Sequence, residues 1–212
     1  MSTMYIPREF QVPPALAKAI LDRYDFATLV TVDKSGPSAS HLPFLYRPDA
    51  GPLGTLSAHL AKANPQWKSF PAPGEVLVIF QGPHAYVSPS WYSAHPSVPT
   101  WNYVVVHARG IARPITDEAK VRKLLEDLVA KHDETWKMEL PDDYLRGMMK
   151  QIVAFDIEVT RLEGKFKLGQ NRSKEDQQSV QRELARSADP LAQELARVMR
   201  SLQEDPKPPG PP

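Results

Sequence analysis

The chain has 212 residues, enough for one large domain or for a domain with a helical appendage, and carries 26 basic against 25 acidic side chains. A formal charge of +1 argues against a nucleic-acid binder that works by bulk phosphate neutralisation, and the absence of cysteine removes a disulfide framework, a thiol nucleophile and a thiolate metal site. No stretch approaches the roughly 18 consecutive apolar residues of a membrane span, and no charged start leads into an apolar run, so a cytoplasmic protein without a signal peptide is expected.

Met4 to Phe10 reads as a short extended arm, after which Pro13 and Pro14 open a helix with Leu16, Ile20 and Leu21 at helical spacing. Phe26 to Val32 is β-rich, and Asp33 to Gly36 form a hairpin turn into a second strand, Pro37 to Tyr46. In that second strand Ser40, Leu42 and Phe44 share one side and His41 and Pro43 the other, so His41 need not follow the core. Residues 53 to 58 form a third strand, followed by a change to helical pattern near Lys62 and again at Pro65, where Asn64 can cap the turn. A strand feeding a helix start with Lys62 in reach suits a phosphate, although a lysine in that setting is more commonly a solvated side chain.

The stretch from 75 to 112 organises the rest. Val76 to Phe80 is an unbroken apolar run ended by Gly82 and Pro83, as expected of a strand covered on both faces. Tyr86, Trp91, Tyr92, Trp101 and Tyr103 then stand among Pro89, Pro96 and Pro99, which predicts a stiff, irregular, aromatic loop. Such a loop either receives a flat ligand or a partner subunit, or covers the protein's own core. From Trp101 to Ile111 the chain re-enters a strand, with Asn102, Val104, Val106 and Ala108 on one face and Trp101, Tyr103, Val105, His107 and Arg109 on the other.

Thr116 is the expected cap of an amphipathic helix carrying Val121, Leu124, Leu125, Leu128 and Val129, and Pro141 to Met149 form a second helical segment. Val153 to Thr160 alternates as a half-buried strand should. It leads into a polar stretch, 162 to 172, where Lys165, Lys167, Gln170, Asn171 and Arg172 could bind phosphate or be solvated. Two helices follow Ser173, the second with Pro190 first and Leu191, Leu195, Val198, Met199 and Leu202 on one face. The tail 205–212 has nothing apolar to bury and is expected to be disordered.

The six histidines make no HxxxH or HxH pair, so no metal is expected; no GxSxG elbow marks a hydrolase, and no GxGxxG loop marks a dinucleotide fold. What remains is a β-rich barrel with helices at its edges, an aromatic loop and two basic clusters able to hold a phosphate.

Particular residues carry a resemblance that spacing alone does not provide. MYIPREF at 4 to 10, HLPF at 41 to 44, HLAKANPQW at 59 to 67, FQGPHAYVSPSWY at 80 to 92, VPTWNYVVVHARG at 98 to 110 and KLGQNRS at 167 to 173 resemble the PaiB family, bacterial FMN-binding proteins described as negative transcriptional regulators. The resemblance implies an α+β, mainly β fold: an FMN-binding split β-barrel over 1–172 with peripheral helices, a C-terminal helical extension over 173–204, and the tail. It implies a homodimer with FMN at the subunit interface. His41, Leu42, Pro43 and Phe44 would line the isoalloxazine edge, Ser57, His59 and Lys62 with Asn64 the phosphate end, and Thr100, Trp101, Asn102 and Tyr103 would approach from the partner subunit. Lys167, Gln170 and Asn171 would reach the flavin or its ribityl chain. Gly169 departs from the family's KLSQNR, which removes a hydroxyl there.

The family description implies a regulator; a flavin-dependent oxidoreductase or flavin reductase is the alternative. The C-terminal helices mix Arg182, Arg186, Arg197 and Arg200 with Glu183, Asp189 and Glu194, so a direct DNA contact has weak support from composition. Haem handling would need a ligating histidine such as His107 at an open face.

Overall fold

Among the described residues, apolar and polar alternation resolves into seven strands: β1 (Phe26–Asp33), β2 (Gly36–Pro43), β3 (Leu45–Arg47), β4 (Thr55–Ala61), β5 (Val76–Val87), β6 (Thr100–Pro114) and β7 (Ile152–Lys167). Five helices accompany them: α1 (Pro14–Arg23), α2 (Glu118–His132), α3 (Asp142–Met149), α4 (Lys174–Arg186) and α5 (Pro190–Glu204). This computed structural model describes residues 4–70 and 74–204; the tail expected to be disordered, 205–212, lies outside them. The strands form one sheet in the order β2-β1-β5-β6-β7-β4-β3. The fold is α+β and mainly β, as the resemblance implied.

The chain forms two compact units. The first holds Met1–Arg23, Gln81–Val106 and Glu163–Pro212, and the second Tyr24–Phe80 and His107–Leu162, so β5, β6 and β7 each contribute to both.

In the second unit β1 and β2 pair antiparallel from Phe26↔Pro43 to Asp33↔Gly36. The connecting turn is tied by Asp33, whose Oδ1 accepts from the Ser35 amide at 2.8 Å and its hydroxyl at 2.6 Å. Gly36 sits at φ +111°, the left-handed region that glycine enters at little cost. β1 also pairs with β5, and β4 lies between β3 and β7. The inward faces supply a phenylalanine cluster, with Phe44 against Phe80 at 5.9 Å and Phe155 at 6.3 Å, and Phe70 against Phe155 at 4.7 Å. Phe44, Phe80 and Phe155 are fully buried. On the other side of β7, Ala154 packs under Val121, Leu124 and Leu128 of α2, so here the strand is covered on both faces.

The first unit buries Leu16, Ile20 and Leu21 of α1, Val104 and Val106 of β6, Phe166 of β7, and the inner faces of α4 and α5. Arg23 at the end of α1 donates to Glu194 of α5 at 2.5 Å with both side chains largely buried, which fixes the first helix to the last. Gly164 accommodates this packing, since a Cβ there would lie 2.6 Å from Val12.

Several expected boundaries move, each for a local reason. β5 does not end at Gly82 and Pro83 but runs to Val87; both residues are buried in succession, so the alternation shifts and the strand continues. β4 continues to Ala61, where the sequence had suggested a helical change, and only a short 3-10 helix (Pro65–Ser69) follows. The α2 cap is Asp117, not Thr116, because the Asp117 carboxylate accepts from the Lys120 amide at 3.0 Å. The polar stretch after residue 162 is strand as far as Lys167, with Phe166 and Leu168 turned into the core. Leu191 is 43 % exposed and lies off the buried face of α5, which is formed by Ala192, Leu195, Ala196, Val198 and Met199.

Candidate functional site

The fifteen residues singled out from the sequence fall into two groups, one in each unit.

In the second unit, edge strand β2 carries His41 exposed and Leu42 and Pro43 half-buried, with His41 Nδ1 3.0 Å from the Thr28 hydroxyl across the β1–β2 ladder. Phe44 belongs to the phenylalanine core and offers a ligand only its backbone. On β4, Ser57 is fully buried and donates to Asp156 Oδ1 at 2.5 Å, the oxygen that also accepts from Arg47 at 2.7 Å. Its hydroxyl is thus occupied by the protein. His59 lies two residues on, facing the same way. Burial holds its imidazole below the ordinary histidine range, and its Nδ1 is buried with no hydrogen-bond partner among the described residues. A buried polar atom left unpaired costs about 1–3 kcal/mol, so a site that leaves one open is prepared for a donor or acceptor from elsewhere.

Lys62 follows the strand end. Its amide donates to Gln151 O at 2.7 Å and its carbonyl accepts from the Trp67 indole at 3.1 Å, so the backbone is pinned while the ammonium is exposed. Asn64 caps the turn at Pro65 as its sequence position suggested, accepting from the Gln66 amide at 3.0 Å and donating to Ser40 at 2.9 Å. Both ends of its amide are engaged.

In the first unit the aromatic stretch is held from below and open above. Trp101 is 54 % exposed and Tyr86 46 %, their rings meeting edge to face at 6.1 Å, with His84 6.4 Å from Trp101. Lys165 stands 5.6 Å from the ring centres of both Tyr5 and Tyr103, close enough for cation–π attraction. Lys167 donates to the Thr100 hydroxyl and, at 2.9 Å, to Trp101 O. Asn102 is buried on the opposite face of β6, facing the core with Val104.

Gln170 closes a local turn: its amide accepts from Leu168 N at 2.8 Å and donates to Phe166 O at 2.6 Å. Asn171 is exposed and makes no side-chain hydrogen bond among the described residues. Gly169 adopts φ +82°, a conformation that strains any L side chain, and a Cβ there would lie 3.9 Å from the Asn102 amide nitrogen. Glycine thus relieves the backbone where a serine would add a hydroxyl beside Asn102.

Sequence reasoning missed what holds the loop. Asp176 is buried, and its Oδ1 accepts from the Ser93 amide at 2.8 Å and hydroxyl at 2.9 Å while its own amide donates to Ser173 Oγ at 3.1 Å. These bonds, led by the Ser93 amide, hold the carboxyl below the usual carboxylate range. The Arg172 guanidinium lies 4.3 Å over the Tyr92 ring and donates to Ser97 at 3.3 Å. The signal for Asp176 was available: Ser173 and Asp176 stand in the S-x-x-D relation of a reciprocal helix cap.

In the second unit the unengaged Lys62 ammonium and His59 Nδ1 suit an anionic group, and in the first unit the exposed aromatics suit a flat ring system. Among the described residues no cluster of His, Asp or Glu side chains is placed to hold a metal ion.

Comparison with known proteins agrees with this chemistry. A family model described as "Putative FMN-binding domain" matches residues 4–161. The protease synthase and sporulation protein PAI 2 of Bacillus subtilis is 36% identical over 202 residues, which cover 92% of this chain and 96% of that protein. The fold is shared with the flavocytochrome Anf3 from Azotobacter vinelandii (TM-score 0.55, 17% identity, 76% of this chain and 71% of that one). It is shared equally with an FAD and heme binding protein from Mycobacterium smegmatis (TM-score 0.55, 20% identity, 75% and 74%).

Proposed function

The chain belongs to the PaiB family of FMN-binding proteins, and from that membership we propose that it works as a homodimer whose bound FMN makes it a negative regulator of transcription. FMN is the cofactor of the family. The observation that supports a flavin on this chain is the contrast in its aromatics. Phe44, Phe80, Phe155 and Phe166 are wholly buried, while Trp101 and Tyr86 stay about half exposed, and Tyr103, two residues along the same strand, has the cationic Lys165 over its ring.

In this reading Trp101 and Tyr103, reaching across from the partner subunit, pack against the ring system, since aromatic side chains supply flat apolar area with a polar tip. His41, Leu42 and Pro43 border its edge. Lys62 takes the phosphate by a charge-assisted bond, and His59 Nδ1 gains the partner it lacks. Asn171 reaches the ribityl chain. Ser57, Asn64 and Gln170 act behind these groups, because their side chains are bonded within the protein. When bound, FMN supplies an electron-accepting ring.

Regulation rather than turnover is the reading taken from the family. Arg186 pairs with Glu183 and Arg197 with Glu194 inside their own helices, which leaves Lys174, Arg182 and Arg200, exposed and without an ion pair among the described residues, as the cations of α4 and α5 that a duplex could meet. The experiment is to titrate the purified chain with FMN by absorbance while measuring mass by light scattering, DNA retardation and NAD(P)H oxidation in parallel. Trp101→Ala is expected to weaken FMN ten- to a hundredfold, in line with about 1–3 kcal/mol for stacking on an aromatic side chain. A monomer that binds FMN equally well with and without Trp101 would overturn the shared site. Steady NAD(P)H oxidation without DNA retardation would assign the chain to the oxidoreductases.

A further inference from the structure

A cavity of about 320 Å3 lies within the second unit between the end of β6, the start of α2, α3 and the first residues of β7. Its floor is apolar: Ile115, Met149 and Ile152 are half-buried there over the α2 core. Its rim is cationic, with Lys62, Arg146 and Lys150 facing a single carboxylate, Glu118. In a chain whose whole formal charge is +1, a local excess of two positive charges over an apolar floor is a selective feature.

The cations are available. Neither Lys62 nor Lys150 has an ion-pair partner among the described residues. Arg146 donates at 3.0 Å to Asp143, but that carboxylate is 98 % exposed and such surface pairs are readily exchanged. The frame, by contrast, is fixed. Lys62 N donates to Gln151 O, Lys150 N to Arg146 O and Ile115 N to Ala154 O, so the backbones under the rim are hydrogen-bonded in place. Inorganic phosphate would leave the floor unused, and a neutral apolar molecule would leave the rim unused. We propose that this cavity binds a small organic carboxylate with an aromatic or short acyl body, the carboxylate held by Arg146 and Lys150 and the body lying on Ile115, Met149 and Ile152. The site goes beyond the flavin reading; its rim shares Lys62 with the phosphate end proposed there, and its carboxylate is assigned to Arg146 and Lys150.

The test is calorimetry on the full chain with 2-naphthoate, its neutral counterpart 2-naphthamide, and inorganic phosphate. Naphthoate should bind with a Kd below about 1 mM, naphthamide at least about tenfold more weakly, and phosphate without measurable heat. The doubly substituted Arg146→Gln, Lys150→Gln chain should lose at least about tenfold in naphthoate affinity while keeping its melting temperature and its FMN affinity, because both side chains are exposed. Trp101→Ala should show the converse, weakened FMN with unchanged naphthoate. Equal binding of naphthoate and naphthamide, or no loss in the double variant, would overturn the proposal. A parallel loss of FMN and naphthoate in the double variant would also overturn it, by making the cavity the phosphate end of the flavin site. Failure of FMN to bind at all would leave the naphthoate result standing.

Discussion

The two groups of candidate residues use polar chemistry in opposite ways. Around β4 in the second unit, polar side chains mostly complete the protein itself: Ser57 and Arg47 meet on Asp156, and Asn64 bridges Ser40 and Gln66. What is left over there is small: two buried atoms without a partner, His59 Nδ1 and Gln66 Oε1, and the exposed Lys62 ammonium. In the first unit, polar groups such as Asp176 and Arg172 anchor a loop from beneath, and its aromatic surface stays open. One region has spent its hydrogen bonds on folding, whereas the other spends them on presenting a surface. Substitutions should therefore affect stability first in one set of positions and ligand affinity first in another.

The largest expected effect tests the structural side. Phe155→Ala removes a ring packed against both Phe44 and Phe70 and should cost about 3–5 kcal/mol in urea denaturation. A loss under about 1 kcal/mol would mean that the cluster contributes far less than its burial implies.

Asp176→Ala comes next, because it strands two Ser93 donors. The melting temperature should fall by at least about 4 °C. Acid sensitivity sharpens the point. The folded carboxyl titrates below its unfolded counterpart, so its contribution is present above the unfolded pKa and disappears as pH falls through the folded one. Melting curves of Asp176→Asn should accordingly be flatter than wild type on the acid side of pH 4 to 5, and an unchanged acid limb would remove Asp176 as the latch.

Lys62→Ala reads the ligand side. FMN should weaken about tenfold and riboflavin not at all, as expected for one charge-assisted bond to a phosphate. Equal losses for both would move the phosphate elsewhere.

The smallest effect separates two neighbours. Gln170→Ala breaks two bonds of its own turn and should lower the melting temperature without ligand, whereas Asn171→Ala should leave it in place and cost FMN about 1 kcal/mol. Matching behaviour in the two would erase the distinction between a residue that builds the turn and one that reaches out of it.

Much of the fold could be read beforehand because its signals are local. The face made of Asn102, Val104, Val106 and Ala108 is buried as its alternation required, and Val121, Leu124 and Leu128 of α2 form the expected stripe. Ser173 caps α4 where it was placed. The extension of β7 was missed although Phe166 and Leu168 keep the strand period, because the alternate positions, Glu163, Lys165 and Lys167, made the stretch look like a solvated connector. The bonds of Ser57 to Asp156 and of Asn64 to Ser40 were not legible, since these partners lie 99 and 24 positions away. Gln170 was misleading for another reason: its partners are within four residues, but only the turn through Gly169 brings them into reach.

The tie between Arg23 and Glu194 has a consequence for how the chain is made. The two residues are 171 positions apart, and the first unit draws its segments from the start, middle and end of the sequence, whereas the last residue of the second unit is Leu162. During synthesis from the N-terminus, the second unit has all of its residues before α4 and α5 exist. α1 leaves the ribosome before α5, so its Arg23 waits for Glu194 while the second unit already has all of its residues. A nascent chain arrested after Leu162 should then hold a protease-resistant second unit and an α1 still open to cleavage.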